Sequence, residues 1–252
     1  MRRIAVSGKG GSGKTTISST LVRLVGRKLG SVLAVDGDPN PNLARAMGLT
    51  HGDFPLLPPS IMAFDEINGK RVARLSKPLE EILSEHAIPG PDGVRLIALG
   101  EVDEPSKGCL CSRHAIVREI VGAAIDQSLE PIVVDMEASL EHMRRGTVKH
   151  VDTLLIVTEP YYRALESAGR LIRLAREMGL TGILGVANKV RTPAEEEVIR
   201  NYFAALEIPV IAVIPFDDSV TAADLEGLSV LDRAPNSPSM LAVQQLADTL
   251  FA

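Results

Sequence analysis

Between an apolar run at Ile4 to Val6 and an amphipathic stretch from Lys14 to Leu29 lies Gly8-Lys9-Gly10-Gly11-Ser12-Gly13-Lys14-Thr15, which satisfies G-x-x-x-x-G-K-[ST]. Such a loop needs a strand to deliver the chain to it and a helix to carry it away, so it fixes a strand, loop, helix unit at residues 4–29. Glycines at 8, 10, 11 and 13 let consecutive backbone N–H groups wrap phosphate oxygens without side-chain obstruction, and the helix N-terminus adds positive potential. Lys14 is placed to neutralise β and γ phosphates. The hydroxyl of Thr15, with Thr16 in the same first turn, is placed to ligate the Mg²⁺ that bridges them. The expected ligands are therefore ATP or ADP with Mg²⁺, held by residues 8 to 16.

Further apolar runs recur at Val32 to Val35, Val94 to Leu99, Ile132 to Val134, Leu154 to Val157, Ile183 to Val186 and Val210 to Ile214. Helical patterns separate most of them, at Ala115 to Ile125, Leu140 to Lys149, Arg163 to Met178, Ala194 to Leu206 and Ala222 to Leu228. This alternation predicts an α/β fold with a doubly wound, mostly parallel sheet of about seven strands flanked by helices. With no Trp, 3 Tyr and 5 Phe, the core has to be aliphatic, as suits strands covered on both faces. Residues 51–92 break the rhythm: they hold Pro55, Pro58, Pro59, Pro78, Pro89 and Pro91, six of the 16 prolines. They read as an elaborated connection, extended at Phe54 to Pro59 and helical at Lys77 to His86. No linker composition follows, so residues 1–252 are expected to form one domain.

Two strands end in acid. Val35-Asp36-Gly37-Asp38-Pro39-Asn40 puts two carboxylates at the carboxyl end of the second strand, where α/β sheets present side chains to ligands. Asp-Gly and Asp-Pro are also common turn dipeptides, so a solvated Asx-turn is the competing reading. Ile132-Val133-Val134-Asp135 is an apolar strand ending in the aspartate that a magnesium-bound water requires. Asp135 takes that role.

The 2 cysteines, Cys109 and Cys111, are one residue apart and cannot staple distant parts of a fold. An i, i+2 pair in extended backbone projects both sulfurs to one side, which suits a two-thiolate chelate. Soft divalent metals such as Zn²⁺ prefer four ligands, so one chain supplies half a site, and a two-fold dimer would complete a four-sulfur site. Lys107, Arg113 and His114 nearby favour the thiolate form. Two ordinary loop cysteines are the alternative.

The lysine inside the loop, Lys9, makes the segment resemble the deviant Walker motifs of the SIMIBI class, to which MinD, ParA, ArsA and the nitrogenase iron protein belong. The resemblance implies that Lys9 reaches the nucleotide of a facing subunit, that Asp38 positions the attacking water, and that Asp36 stands near Mg²⁺. It further implies that Asn188, with Lys189, faces adenine and that Ile214-Pro215-Phe216 forms the base-side loop. Beyond these motifs, Cys109-Leu110-Cys111, Asp135-Met136-Glu137-Ala138, Glu141-His142, Arg145-Gly146-Thr147, Glu159-Pro160 and Asn188-Lys189-Val190 make most of the chain resemble the CooC family of nickel-insertion ATPases. That likeness implies an ATP-dependent homodimer, one Ni²⁺ or Zn²⁺ between subunits, and carbon monoxide dehydrogenase or a related nickel enzyme as client. Ser139 stands where many relatives have glycine.

The net charge of -5 supplies no long-range attraction to nucleic acid. No run approaches the roughly 18 apolar residues of a membrane span. Met-Arg-Arg leads straight into a strand-like run, so a cytoplasmic protein with neither a nucleic-acid nor a membrane partner is expected. A positioning ATPase of the MinD or ParA kind would need a targeting device, and Ser239 to Ala252, which lacks Lys and Arg, makes a poor anchor for an anionic membrane. An iron-sulfur electron-transfer ATPase would also bring two cysteines per chain, but from two separate segments.

Overall fold

The computed structural model describes residues 3–38, 41–49, 57–67, 69–98, 116, 118–123, 131–136 and 150–251. Strand β1 (Arg3–Gly8) leads through the glycine loop into α1 (Lys14–Leu29), then β2 (Val32–Asp36) and the short α2 (Leu43–Ala46). Next come β3 (Met62–Ile67), β4 (Lys70–Leu75), α3 (Leu79–His86), β5 (Ile88–Pro89) and β6 (Val94–Ala98). Beyond β7 (Ile132–Asp135) and β8 (Thr153–Thr158) run α4 (Tyr162–Glu177), β9 (Ile183–Val190), α5 (Pro193–Ala205) and β10 (Val210–Pro215). The chain closes with α6 (Asp218–Leu225), α7 (Val230–Arg233) and α8 (Pro238–Leu250).

The main sheet has 8 strands in the order β10-β9-β8-β1-β7-β2-β6-β5, parallel throughout except for β5 against β6. Successive side chains in a strand point to opposite faces, and β1 shows what that does here. Ile4 and Val6 enter the cluster under α1 and α8, with Leu21, Val25, Val243 and Leu246. Ala5 enters the opposite one, with Leu165, Ile172, Ile199 and Phe203 of α4 and α5. Both faces are closed by helices, which is why the strands read as unbroken apolar runs.

The seven expected strands are all present, and Arg163 to Met178 and Ala194 to Leu206 correspond to α4 and α5 within a residue or two. Of Ala115 to Ile125, residues 116 and 118–123 are helical; Leu140 to Lys149 lies outside the described residues. The eighth strand, β5, adds two residues at the edge of the expected sheet. Two expectations need correction. The helix expected at Ala222 to Leu228 is Asp218–Leu225, because the Asp217 carboxylate caps it by accepting from Ser219 N and Gly227 (φ 67°) follows its end. Within 51–92 the helix exists as α3, but a separate hairpin, β3 against β4, precedes it; of the stretch expected to be extended, Leu57 and Pro58 are in no regular element and Pro59 opens a single 3₁₀ turn. Residues 54–56 are outside the described set.

Besides Lys14 at its start, helix α1 carries Arg23 deep into the structure. Arg23, 4% exposed, donates to Asp92 (2.7 Å), to both oxygens of Asp232 (2.6 and 2.7 Å) and to Ser229 Oγ (3.1 Å). A buried guanidinium needs this many acceptors, and in finding them it ties α1 to α7 and to the turn at residues 91–93. One turn further on, a Cβ added to Gly26 would stand 2.1 Å from the Asp92 carbonyl oxygen. Helix propensity favours alanine over glycine by about 1 kcal/mol. Contact with a fixed backbone atom outweighs it, so Gly26→Ala is expected to lower stability by roughly 1–3 kcal/mol in urea unfolding. A stabilised variant would mean that the approach of α1 to residues 91–93 is wrong.

Candidate functional site

The loop between β1 and α1 is shaped by close approaches. A Cβ on Gly8 would lie 2.2 Å from the Val157 carbonyl oxygen of β8, and one on Gly13 would lie 2.2 Å from Asn188 Nδ2, at a φ of +92° that side chains avoid. At Gly10 and Gly11 an added Cβ meets no atom within 4 Å, so the backbone there lies open to an approaching ligand. Ser12 N donates to Lys9 O (3.1 Å), and the buried Lys14 reaches the same carbonyl with Nζ (3.4 Å). Helix α1 has no side-chain cap and no acidic residue in its first turn. Its leading N–H groups therefore face the loop with their positive potential uncancelled, as anion binding requires. The hydroxyls of Ser7 and Ser12 are buried and have no hydrogen-bond partner among the described residues.

Beside the loop stand two carboxylates. Asp36 and Asp135 are register partners on the adjacent strands β2 and β7, 1% and 2% exposed. Thr15 Oγ1 donates to Asp135 Oδ2 (2.7 Å) and Ser18 Oγ to Oδ1 (3.2 Å). Asp36 accepts from the backbone N–H groups of Asp38 (3.2 Å) and Leu43 (2.8 Å), which shapes the turn carrying Asp38. Burial, and then the neighbouring charge of Asp135, pushes Asp36 up to about 7. Burial pushes Asp135 up to about 6, although the Thr15 and Ser18 hydroxyls and the Lys14 charge pull the other way. Two hard oxygen donors that resist ionising side by side, with a threonine hydroxyl on one of them, fit a Mg²⁺ ion, whose charge would remove the penalty.

On the other flank of the loop, two side chains at the end of β9 hold consecutive loop carbonyls. Asn188 Nδ2 donates to Ser12 O (2.7 Å) and Lys189 Nζ to Gly11 O (2.6 Å). Lys189 has a left-handed φ of 57°, and its ammonium also pairs with Glu159 Oε1 at 2.8 Å. Asn188, Lys189 and Pro215 line one cavity together with Gly13 and Thr16, beside Phe216 and Asp217. Partial burial would raise Asp217, but hydrogen bonds from Ser237, Ser239 and Ser219 hold it well below the usual carboxylate range.

Sequence reasoning assigned Asn188 and Lys189 only to the base. The structure gives both a second task in shaping the loop, and adds Ser18, Glu159 and Asp217, which it had not assigned to the site. Ser18 was findable, being three residues beyond Thr15 on the same helix face. Glu159 and Asp217 carried no local signal of their partners. Pro39, Asn40, Cys109, Cys111 and residues 137–149, with Ser139, Glu141 and His142, lie outside the described residues. Among the described residues no cluster of three or more potential metal ligands occurs, and no helix is long and apolar enough to cross a membrane.

A family model described as the CobQ/CobB/MinD/ParA nucleotide binding domain matches residues 4–230. The chain is 36% identical over 245 residues to the carbon monoxide dehydrogenase accessory protein CooC of Rhodospirillum rubrum, covering 92% of this chain and 90% of that protein. Its structure is similar to a ParA family ATPase from Chlorobium tepidum TLS, with a TM-score of 0.75, 25% identity and coverage of 99% and 98%. A septum site-determining protein MinD complexed with Mg-ADP, from Pyrococcus horikoshii OT3, shares the fold at a TM-score of 0.71 and 23% identity, with 99% and 96% covered.

A buried carboxyl with a raised pKa costs nothing at a pH where it is protonated in both states; the penalty grows as pH rises from the unfolded value towards the folded one and is constant above it. Asp135→Asn removes that penalty. In the nucleotide-free protein without Mg²⁺ the variant is expected to unfold later than wild type at pH 8, by on the order of 2 kcal/mol, in thermal denaturation. The difference should shrink as pH falls from about 6 towards 4, where wild type carries its own proton. A variant less stable than wild type at pH 8 would contradict this reading of the site.

Proposed function

The chain belongs to the CobQ/CobB/MinD/ParA nucleotide-binding family and is an ATP hydrolase of it, and on that premise we propose that it is a nickel metallochaperone that closes into a homodimer on binding ATP. One observation carries the reading. A chain 36% identical over 245 residues to a carbon monoxide dehydrogenase accessory protein also has a Cys109-Leu110-Cys111 pair that supplies half of a four-thiolate site. Two copies, joined across the nucleotide face, would hold one Ni²⁺ or Zn²⁺ as cargo for the nickel-iron cluster of carbon monoxide dehydrogenase or a related client. In this reading residues 1–252 act as one domain in the cytoplasm.

Within each site the roles follow from position. Gly8 to Thr16 wrap the phosphates, and Lys14 lies against the β and γ groups. Mg²⁺, when bound, neutralises charge on the β and γ oxygens. Thr15, Asp36 and Asp135 would hold it, Thr15 exchanging its bond to Asp135 for the ion. Asp38, on the turn that Asp36 anchors, orients the water that attacks the γ phosphorus as the bond to the β–γ bridging oxygen breaks. Lys9 of the facing subunit adds positive charge where negative charge accumulates on the transferred group. Asn188 and Pro215 bound the base.

Coupling then has a physical basis. A site assembled from two half-sites has high metal affinity only while the halves are together, so whatever nucleotide state favours the dimer favours loading, and hydrolysis favours release. Elemental analysis with light scattering tests this on purified, reduced protein supplied with Ni²⁺ or Zn²⁺. The expected result is one metal per two chains, a dimer fraction that rises with ATP, and loss of metal but not of nucleotide binding in Cys109→Ser with Cys111→Ser. Stoichiometric iron with visible absorbance would favour an electron-transfer ATPase instead, and absence of any metal would leave a family ATPase with another client.

A further inference from the structure

The cavity bounded by Asn188 and Pro215 has one aromatic wall, Phe216. Phe216 is fixed by its own backbone, donating N–H to Val190 O at 2.9 Å, so the loop after β10 is tied to the end of β9. Over its ring lies the guanidinium of Arg191, 3.4 Å from the centroid. Arg191 does not line the cavity. It therefore covers the part of the ring that the cavity does not use.

Arg191 is itself held from below. Its N–H donates to Glu195 Oε2 (2.6 Å), while Glu195 N donates to Thr192 Oγ1 (3.2 Å). This reciprocal pair caps α5, whose helical run then begins at Pro193. The cap fixes the backbone from which the Arg191 side chain extends across Phe216. In that cavity the carboxylate of Asp217 accepts from Ser219 N (2.9 Å), Ser239 N (3.1 Å) and Ser239 Oγ (2.7 Å), and Asn188 Nδ2 is engaged by Ser12 O. With the Asp217 carboxylate and Asn188 Nδ2 engaged by the protein, the flat Phe216 wall offers a base a contact that depends on no polar group.

We propose that Arg191 is a positioning residue for the nucleotide base: stacked on the outer face of Phe216, it holds that ring as the wall against which a purine packs. It acts on the base alone and has no part in phosphate binding. The inference rests on the reading of this cavity as the base site. A cation on an aromatic face at a partly exposed site contributes enough to change an equilibrium severalfold.

Calorimetric titration with Mg²⁺-ATP and with Mg²⁺-tripolyphosphate, which has phosphates but no base, separates the possibilities. For Arg191→Ala the expected result is an ATP Kd raised roughly twofold to fivefold with tripolyphosphate unchanged, and a raised KM at unaltered kcat. Arg191→Lys, which keeps a cation on the ring, should recover part of the loss. The same ATP-to-tripolyphosphate ratio in Arg191→Ala as in wild type would overturn the proposal, as would equal weakening of both ligands. If wild type itself bound ATP no more tightly than tripolyphosphate, the assignment of the cavity to the base would fail, a result distinguishable from failure of Arg191 alone. Because Arg191 is exposed, unchanged thermal midpoints are expected and confirm that the variants are folded.

Discussion

Asp36 and Asp135 stand side by side on neighbouring strands, almost closed to solvent, and the site is organised around the charge they have no room to carry. Strand order creates the arrangement. With β7 inserted between β1 and β2, the loop that follows β1 and the acids that end β7 and β2 converge at the carboxyl ends of three adjacent central strands. Backbone N–H groups answer one carboxylate and hydroxyls the other, yet burial still raises both pKa values. Interior packing of the strands demands the burial; the nucleotide chemistry demands the acids. Paired buried carboxyls whose pKa values are raised in this way fit a divalent cation, whose charge would remove the penalty.

The phosphate loop is equally dependent on its neighbours. Its shape relies on Val157 O pressing against Gly8, on Asn188 filling the space beside Gly13, and on Lys189 holding Gly11 O while pairing with Glu159. Those contacts join β8 and β9 to the loop. The strand that ends in Asn188 also continues, through Val190 and Arg191, to the Phe216 wall. The glycine loop and the cavity beside it are thus joined by one continuous run of backbone, residues 188 to 191.

Much of this was legible in the sequence because it rests on local pattern. Apolar runs gave the seven parallel strands, since strands covered on both faces have no polar alternation, and the glycine loop could be placed from its own residues. The hairpin β3–β4 escaped because Met62–Leu75 mixes charge with apolar residues and leaves Phe64 and Val72 exposed, so no apolar run announces it. Asn68-Gly69 between its strands was the signal to use, as that dipeptide favours a two-residue hairpin turn. Strand β5 is too short for any period to register. The second roles of Asn188 and Lys189, and the packing of Arg191 on Phe216, arise from contacts between distant segments, which no local pattern encodes.

Whether two copies complete each other's nucleotide site is the central claim, and mixing two inactive variants tests it directly. A Lys9→Ala chain keeps its own Asp38, and an Asp38→Ala chain keeps the Lys9 it would offer to a neighbour. If Lys9 acts across the interface, equal mixing restores about a quarter of wild-type ATP hydrolysis, since half the dimers are mixed and each mixed dimer has one intact site. A mixture as inactive as either variant alone would contradict the account, because it would mean that Lys9 serves the nucleotide of its own chain.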